Sequence, residues 1–410
     1  MSMVDNMLVT GERPTKSDTA GTEPVSVQRD ESTVSRWPND RILKLFGIDL
    51  PIIQAPMSGV TTPALSAGVA QAGGLCSIAG AMLSLDEIRG QFDAIRSKTR
   101  KPINLNFFCH AESAGDPARE TAWRQRLNAY YAELGLFPEM PTPAPSISPF
   151  CAAHCELIAE LRPEIVSFHF GLPSANLVSQ VKAAGSKILC SATTVKEAVW
   201  LEQRGCDAII AQGLEAGGHR GMFLCQSVAA QVGTMALVPQ VVDAVDVPVI
   251  AAGGIADGRG IAAAFALGAS AVQLGTAYLF SAEANVDPLY QRTLKAAQDD
   301  QTVITNVFTG RAARAIVNRA IRELGPMADD VPAFPSAAAA LQPLSIKSKT
   351  IGSSDFTPHW SGQAAPLGRR LPAKELTRLL ASEALETLRR QSFSCRVGFE
   401  VRGKFGERLP

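Results

Sequence analysis

The stretch Ala208-Ile-Ile-Ala-Gln-Gly-Leu-Glu-Ala-Gly-Gly-His-Arg-Gly221 decides the fold. Ala208 to Ala211 have the character of a buried strand, and the run stops at Gln212 in a loop carrying Gly213, Gly217, Gly218 and Gly221 around His219. Glycines at this density let a backbone take positive φ and approach a ligand with no Cβ in the way. An imidazole held there is suited to moving a proton near neutral pH. Alone, the pattern also fits a strand followed by a flexible loop with a surface histidine. The surrounding sequence decides between the two readings.

Outward from this stretch, short apolar runs alternate with helical patterns, the mark of βα units on a parallel sheet. Strands are expected at Pro51–Met57, Gly74–Gly80, Ile103–Phe108, Ile165–Gly171, Lys187–Thr193, Ala208–Gly213, Pro248–Gly254 and Ala271–Leu279. Helices are expected at Thr62–Gln71, Leu85–Lys98, Ala175–Ala184, Val195–Arg204 and Gly258–Leu267, several preceded by Ser or Thr caps and ended by glycine. Eight such strands predict an α/β fold of the (β/α)8 TIM-barrel class, in which chemistry sits at the C-terminal strand ends. The unusual residues fall there: Gln54, Ala55, Pro56 and Met57; Asn104 and Asn106; His169; Gln212 to His219; Gly253 and Gly254; and Gln273, Leu274, Gly275 and Thr276. The last two groups end strands seven and eight, whose loops often hold a phosphate through backbone N–H groups.

Lys+Arg and Asp+Glu each number 39 in a chain of 410 residues, so net charge is zero and neither nucleic acid nor an anionic membrane is an expected partner. Apolar runs are too short to cross a bilayer. The eight cysteines lack a disulfide spacing, and with no signal-peptide pattern a reducing cytoplasm is expected. Cys151-Ala-Ala-His154-Cys155 has no second ligand pair, so no metal is expected. Residues 1–40 are polar and aperiodic, hence a flexible, disordered extension. The barrel is expected over 41–280 with an insertion at 111–150, whose end is proline-rich. A helical lid and C-terminal helices follow over 281–391, with helices at Asp287–Asp299, Val303–Leu324 and Ala373–Gln391, and 392–410 is an unassigned tail.

Pro51-Ile-Ile-Gln-Ala-Pro-Met57, Asn104-Leu-Asn106, Gln212-Gly-Leu-Glu-Ala-Gly-Gly-His219, Ala252-Gly-Gly-Ile255 and Gln273-Leu-Gly-Thr276 resemble the motifs of the nitronate monooxygenases, formerly 2-nitropropane dioxygenases. Phe308-Thr-Gly-Arg-Ala-Ala313 and Trp360-Ser-Gly-Gln363 are similar to downstream segments of that family. The resemblance implies non-covalent FMN and oxidation of an alkyl nitronate, or a nitroalkane, by O2 to a carbonyl compound and nitrite, in a monomer or homodimer. It implies flavin contacts from Ala55, Pro56, Met57, Asn106, Gln212, Gly217, Gly218, Gly253, Gly254 and the segment Gln273 to Thr276. His219 falls at the catalytic histidine, His169 at a second active-site imidazole, and Tyr278 and Tyr290 in the substrate pocket. The sequence departs from the better-studied class after strand eight, where Tyr290 is followed by Gln291-Arg292 and lysine comes only at Lys295. The alternatives are an FMN-dependent enoyl-thioester reductase or NAD(P)H:quinone reductase on the same barrel, and a flavin-free phosphate-binding barrel.

Overall fold

Period-two alternation in the expected strands settles which side chains point inward, and the computed structural model, which describes residues 37–112, 115–137 and 147–403, is built on it. The barrel strands are β1 (Ile52–Gln54), β2 (Cys76–Ala79), β3 (Ile103–Phe108), β4 (Ile165–His169), β5 (Lys187–Ala192), β6 (Ala208–Gln212), β8 (Val249–Ala252) and β9 (Ala271–Leu274). They run parallel in the order β1-β9-β8-β6-β5-β4-β3-β2, and the Ile53–Leu75 bridge brings the two edges together into a barrel. All eight expected strands are present, with trimmed ends. In β9 the chain turns at Gly275 into the short helix α10 (Thr276–Leu279), because the strand ladder with β1 ends at Leu274.

Alternate residues therefore divide between two cores. Ile53, Leu75, Ile165, Leu189, Ile210 and Ile250 fill the barrel axis, while Ile52, Ile78, Leu105, Phe168, Ile188 and Val272 face the outer helices. The lower mouth is plugged by α1 (Arg41–Phe46), whose Ile42 and Phe46 join the axial cluster. Burying a side chain of that size contributes about 1.5–3 kcal/mol. Trp37 stacks on Phe265 with centroids 5.2 Å apart, so part of the segment expected to be loose is packed; residues 1–36 lie outside the described residues. The same holds for 138–146 of the proline-rich link and for 404–410 of the tail.

The outer helices are α2 (Pro63–Ala72), α3 (Leu85–Arg96), α5 (Ala152–Leu161), α6 (Ala175–Ala183), α7 (Val195–Gln203), α8 (Thr234–Ala244), α9 (Gly258–Ala266) and α14 (Ala373–Gly403). Thr62, Ser84 and Thr194 cap their helices by accepting N–H groups, as their positions predict. Two of the helices, α5 and α8, were not expected: α5 starts at Cys151 without a polar side-chain cap, and α8 carries Pro239 inside it. The final helix packs between α9 and α2, which is the place of the eighth barrel helix. Gly258 and Gly68 permit that approach, since a Cβ on Gly258 would meet Glu383 and one on Gly68 would lie 3.1 Å from Ala373.

Between β9 and α14 the chain builds a roof. It includes α11 (Pro288–Ala296), β10 (Thr302–Thr305), β11 (Ala313–Ile316), α12 (Arg319–Leu324) and α13 (Ala337–Thr350). The helix expected over Val303–Leu324 is corrected here: only its end is helical. The β-branched run Thr302-Val-Ile-Thr305 pairs antiparallel with β11, and Gly310 turns between them at φ +83°. The insertion helix α4 (Pro117–Glu133) joins the roof through Trp123, Leu127 and Tyr131, whose hydroxyl donates to the Ala340 carbonyl at 2.6 Å.

Candidate active site

Toward the C-terminal strand ends the barrel axis changes from aliphatic to polar. Inward positions are taken by Ser77, Asn104, Asn106, Ser167, Ser191, Gln212 and Gln273. Asn104 Nδ2 donates to Ser77 Oγ at 3.0 Å, and Asn106 Nδ2 donates to Ser167 Oγ at 3.0 Å. Above them lies a cavity of about 540 Å³, closed on the far side by α13, Phe356, Pro358 and Trp360 of the roof. That volume lies within the range of small-molecule and cofactor sites.

The His219 loop is not free coil. Gly218 and His219 form the two-residue strand β7, which pairs antiparallel with β11 through His219–Ala313 and Gly218–Arg314. Gly218 adopts φ +73°, which a side chain rarely tolerates. The His219 carbonyl accepts from Gln212 Nε2 at 3.0 Å and from His169 Nε2 at 3.1 Å, while Gln212 Oε1 accepts the Gly221 N–H at 2.7 Å. Two barrel strands thus hold the loop at one carbonyl. Arg220 is fully buried beneath it, donating to the Gly213 and Gln212 carbonyls and to Gln231 Oε1.

These bonds assign roles to the imidazoles. A carbonyl can only accept, so His169 carries its proton on Nε2, and its Nδ1 accepts from Ser191 Oγ at 3.0 Å. Both ring nitrogens of His169 are thereby engaged. His219 Nε2 meets Thr309 Oγ1 at 2.9 Å, and that hydroxyl's hydrogen is directed to the Arg311 carbonyl at 3.4 Å. Nε2 of His219 is then the donor, and Nδ1, with no hydrogen-bond partner among the described residues, keeps its lone pair. Burial lowers the pKa of both imidazoles to about 3, helped for His219 by His169 and the Arg311 charge. Each is neutral at pH 7.

Aromatic rings surround His219: Phe334 at 5.5 Å, Trp360 at 5.3 Å and Phe170 at 6.0 Å between centroids. Phe170, immediately after His169, holds a positive φ of 71°, a backbone state that costs a non-glycine residue about 1–3 kcal/mol and is kept by the packing around it.

Residues 39–383 match the family model described as nitronate monooxygenase. The chain belongs to the nitronate monooxygenase family. It is 42% identical over 357 residues to the nitronate monooxygenase of Pseudomonas aeruginosa, covering 84% of this chain and 99% of that protein. Among solved structures it is similar to nitroalkane oxidase from Streptomyces ansochromogenes, with TM-score 0.78 and 35% identity over 86% of this chain and 99% of that one. FabK from Thermotoga maritima is less similar, with TM-score 0.65 and 29% identity over 86% and 98% of the two chains. This nitronate monooxygenase family member is thus a flavin-dependent oxidoreductase by kinship.

Of the residues marked in the sequence, Ala55, Pro56, Met57, Asn106, His169, Gln212, Gly217, Gly218, His219, Gly253, Gly254, Gln273, Gly275, Thr276 and Tyr290 all line the one cavity. Leu274 and Tyr278 do not, nor do Gln54 and Asn104 of the expected rim, both fully buried. Leu274 points outward into the helix-facing core, as parity along β9 requires. Tyr278, expected in the substrate pocket, is fully buried on the outer side, its hydroxyl 2.8 Å from Thr377 Oγ1 of α14. Ser191 and Thr309 went unmarked. Inward parity on β5 could have found the first; the second lies in a motif already quoted and has no signal that it reaches His219. Among the described residues no three His, Cys, Asp or Glu side chains gather as a metal site would need.

A flavin fits the residues present. Gln273 Oε1 is buried with no hydrogen-bond partner among the described residues, on the polar side of the cavity. Gly218 has nothing within 4 Å of where a Cβ would stand, and Gly275 only Ala55 and Met57 at 3.6 Å and beyond, so both leave backbone open to a ligand. An orphaned acceptor beside open glycines is what a polar, ring-bearing ligand satisfies.

Proposed function

We propose that this chain oxidises alkyl nitronates with O2 to a carbonyl compound and nitrite, using FMN bound without a covalent link at the strand ends. One observation carries the reading. A neutral, rigidly held imidazole, His219, borders the same cavity as a glycine and amide cradle with an unsatisfied Gln273 oxygen. FMN would supply the electron chemistry. Its ring would be held by Met57, Asn106, Gln212 and Gln273, and its phosphate by backbone N–H groups at Gly253, Gly254, Gly275 and Thr276.

The chain's own residues do the rest. With Nε2 donating to Thr309, the Nδ1 lone pair of His219 can take the α-proton of a neutral nitroalkane. The imidazolium so formed, its Nδ1 now protonated, stabilises the nitronate anion, and the anion in turn raises the histidine pKa from its low resting value. His169 is a positioning residue: with both nitrogens used, it fixes the His219 carbonyl and the barrel-side face of the loop. The aromatic shell and the roof keep water out, which strengthens each of these polar contacts. Eight cysteines without a disulfide spacing support a reducing cytoplasm as its location. Among the described residues no helix is long and apolar enough to cross a membrane.

The test is an absorbance spectrum of the purified protein, identification of the released flavin, and nitrite and O2 measurements with ethyl nitronate. Rapid NAD(P)H oxidation with an enoyl thioester or a quinone, and no nitrite from nitronates, would establish the reductase alternative instead.

A further inference from the structure

Gly253 and Gly254, the glycines assigned above to the flavin phosphate, pack against two side chains, Glu215 and Thr234, that do not themselves line the cavity. Helix α8 begins after Gly233, which has no side chain to cap it. The cap comes instead from Glu215 of the β6 loop, whose carboxylate accepts the Thr234 N–H at 3.0 and 2.9 Å and the Thr234 hydroxyl at 2.7 Å. A carboxylate is well placed at a helix N-terminus, where free N–H groups and the dipole favour negative charge. Burial lowers the pKa of Arg220 and Arg314, and the Glu215 charge works against that lowering in both, so the carboxylate also sits in the field of two cations.

Glycine is needed at each place where a loop meets this pair. A Cβ on Gly213 would meet the Thr234 hydroxyl; one on Gly253, at φ +115°, would stand 2.9 Å from it; and one on Gly254, at φ +70°, would stand 3.3 Å from Glu215 Cβ. The Gly253 carbonyl lies 3.0 Å from the same hydroxyl. Glu215 also reaches the roof through its main chain: its carbonyl accepts the Gln363 N–H at 3.1 Å, and the preceding Gly362 N–H donates to Thr276 Oγ1 at 2.9 Å. The pair therefore joins the β6 loop, the start of α8, the β8 loop and the roof segment beside Thr276. We propose that Glu215 and Thr234 are the positioning residues of the phosphate loop, fixing the Gly253–Gly254 backbone so that its N–H groups are held ready for the phosphate of FMN. This rests on the FMN reading above. Both residues act from behind the loop, and the flavin ring, held by other side chains, does not register their loss.

Three variants separate this role from a general one in the fold. Thr234→Val removes the hydroxyl with little change of shape and none of charge, Glu215→Asp keeps the charge but draws the carboxylate back by a methylene, and Thr234→Ser keeps the hydroxyl. The experiment measures dissociation constants of FMN and of riboflavin, which lacks the phosphate, for the flavin-free full chain by equilibrium dialysis, with thermal unfolding recorded for each variant. Wild type should bind FMN more than about tenfold tighter than riboflavin. Thr234→Val and Glu215→Asp should each weaken FMN by about tenfold, the worth of one hydrogen bond to a charged group, and riboflavin by less than about twofold, with Thr234→Ser close to wild type. If Thr234→Val does not fold, Glu215→Asp against Thr234→Ser decides. Equal losses for FMN and riboflavin, or none for either, overturn the inference and leave the FMN reading standing. A wild type that binds both flavins equally removes the phosphate-loop assignment, and one that binds neither removes the FMN reading itself.

Discussion

Thr309→Val tests the tautomer on which His219 depends. Valine has nearly the shape of threonine, so the cavity wall is preserved while the single oxygen 2.9 Å from His219 Nε2 disappears. The ring is largely buried, and an N–H left there without an acceptor costs about 1–3 kcal/mol. That cost falls on the Nε2–H tautomer, so the ring shifts toward Nδ1–H and loses the Nδ1 lone pair on which the proposed base role depends. A penalty of that size corresponds to roughly a 5- to 150-fold loss in any step needing Nδ1 as a base. Neutral nitroethane needs that step; pre-ionised ethyl nitronate does not. The expected outcome is a kcat/KM for nitroethane reduced within that range, with ethyl nitronate affected several-fold less, and Thr309→Ser restoring most of the difference. The assay is initial-rate nitrite release from the two substrates by wild type and both variants, with flavin content measured alongside. Equal loss on both substrates would refute the base assignment, as would no loss on either.

Other outcomes follow from single contacts. Tyr278→Phe should leave kcat/KM for ethyl nitronate unchanged and lower unfolding free energy by about 1 kcal/mol, because its hydroxyl bonds Thr377 of α14 and not the cavity; a large kinetic effect with unchanged thermal unfolding would reverse that placement. Tyr290→Phe should raise KM more than it lowers kcat, since the Tyr290 hydroxyl donates to the Trp360 carbonyl and so tethers the roof segment that closes the cavity. Gly258→Ala should cost about 1–3 kcal/mol by thermal unfolding of the flavin-free protein, because its Cβ would meet Glu383 and stand 2.6 Å from the Ala384 nitrogen. Below pH 6.5 the unfolded chain protonates His169 and His219 while the folded chain, with both near 3, does not. Stability is then full above pH 6.5 and falls with decreasing pH toward 3, by up to about 1.4 kcal/mol per pH unit for each ring. Urea midpoints from pH 7 to pH 4 would show it, and His169→Asn should flatten part of the slope.

The barrel was legible because its rules are local. A strand of five residues with alternate polar ends declares its parity, so Asn106, His169, Gln212 and Gln273 could be placed at one rim from spacing alone, and glycines after strands marked open backbone. The same parity, applied at Leu274, would have turned that side chain outward. What local rules cannot carry is pairing across long separations. β7 has two residues and therefore no period, and its partner β11 lies far downstream, so the His219 stretch read as a glycine-rich loop although Gly218 and His219 form a strand. Val303 to Leu324 read as a helix because its apolar spacing tolerates a 3.6-residue period, whereas the β-branched run and Gly310 favoured a hairpin once β7 offered an edge. The eighth barrel helix was recognisable as amphipathic, but nothing in its sequence says that it returns to the gap between α9 and α2.

His219 belongs to neither half of the molecule alone. Its carbonyl is held by Gln212 and His169 from the barrel, its ring by Thr309 from the roof, and its backbone by β11, which also aligns Ala313 opposite it. The ring therefore takes its position only when roof and barrel are docked. Arg314 strengthens that docking from outside the cavity, donating to the Leu214 carbonyl from Nε and to the Thr302 carbonyl and hydroxyl from Nη1. A roof built from two sequence insertions therefore completes the site so long as the β10–β11 hairpin keeps its edge toward β7.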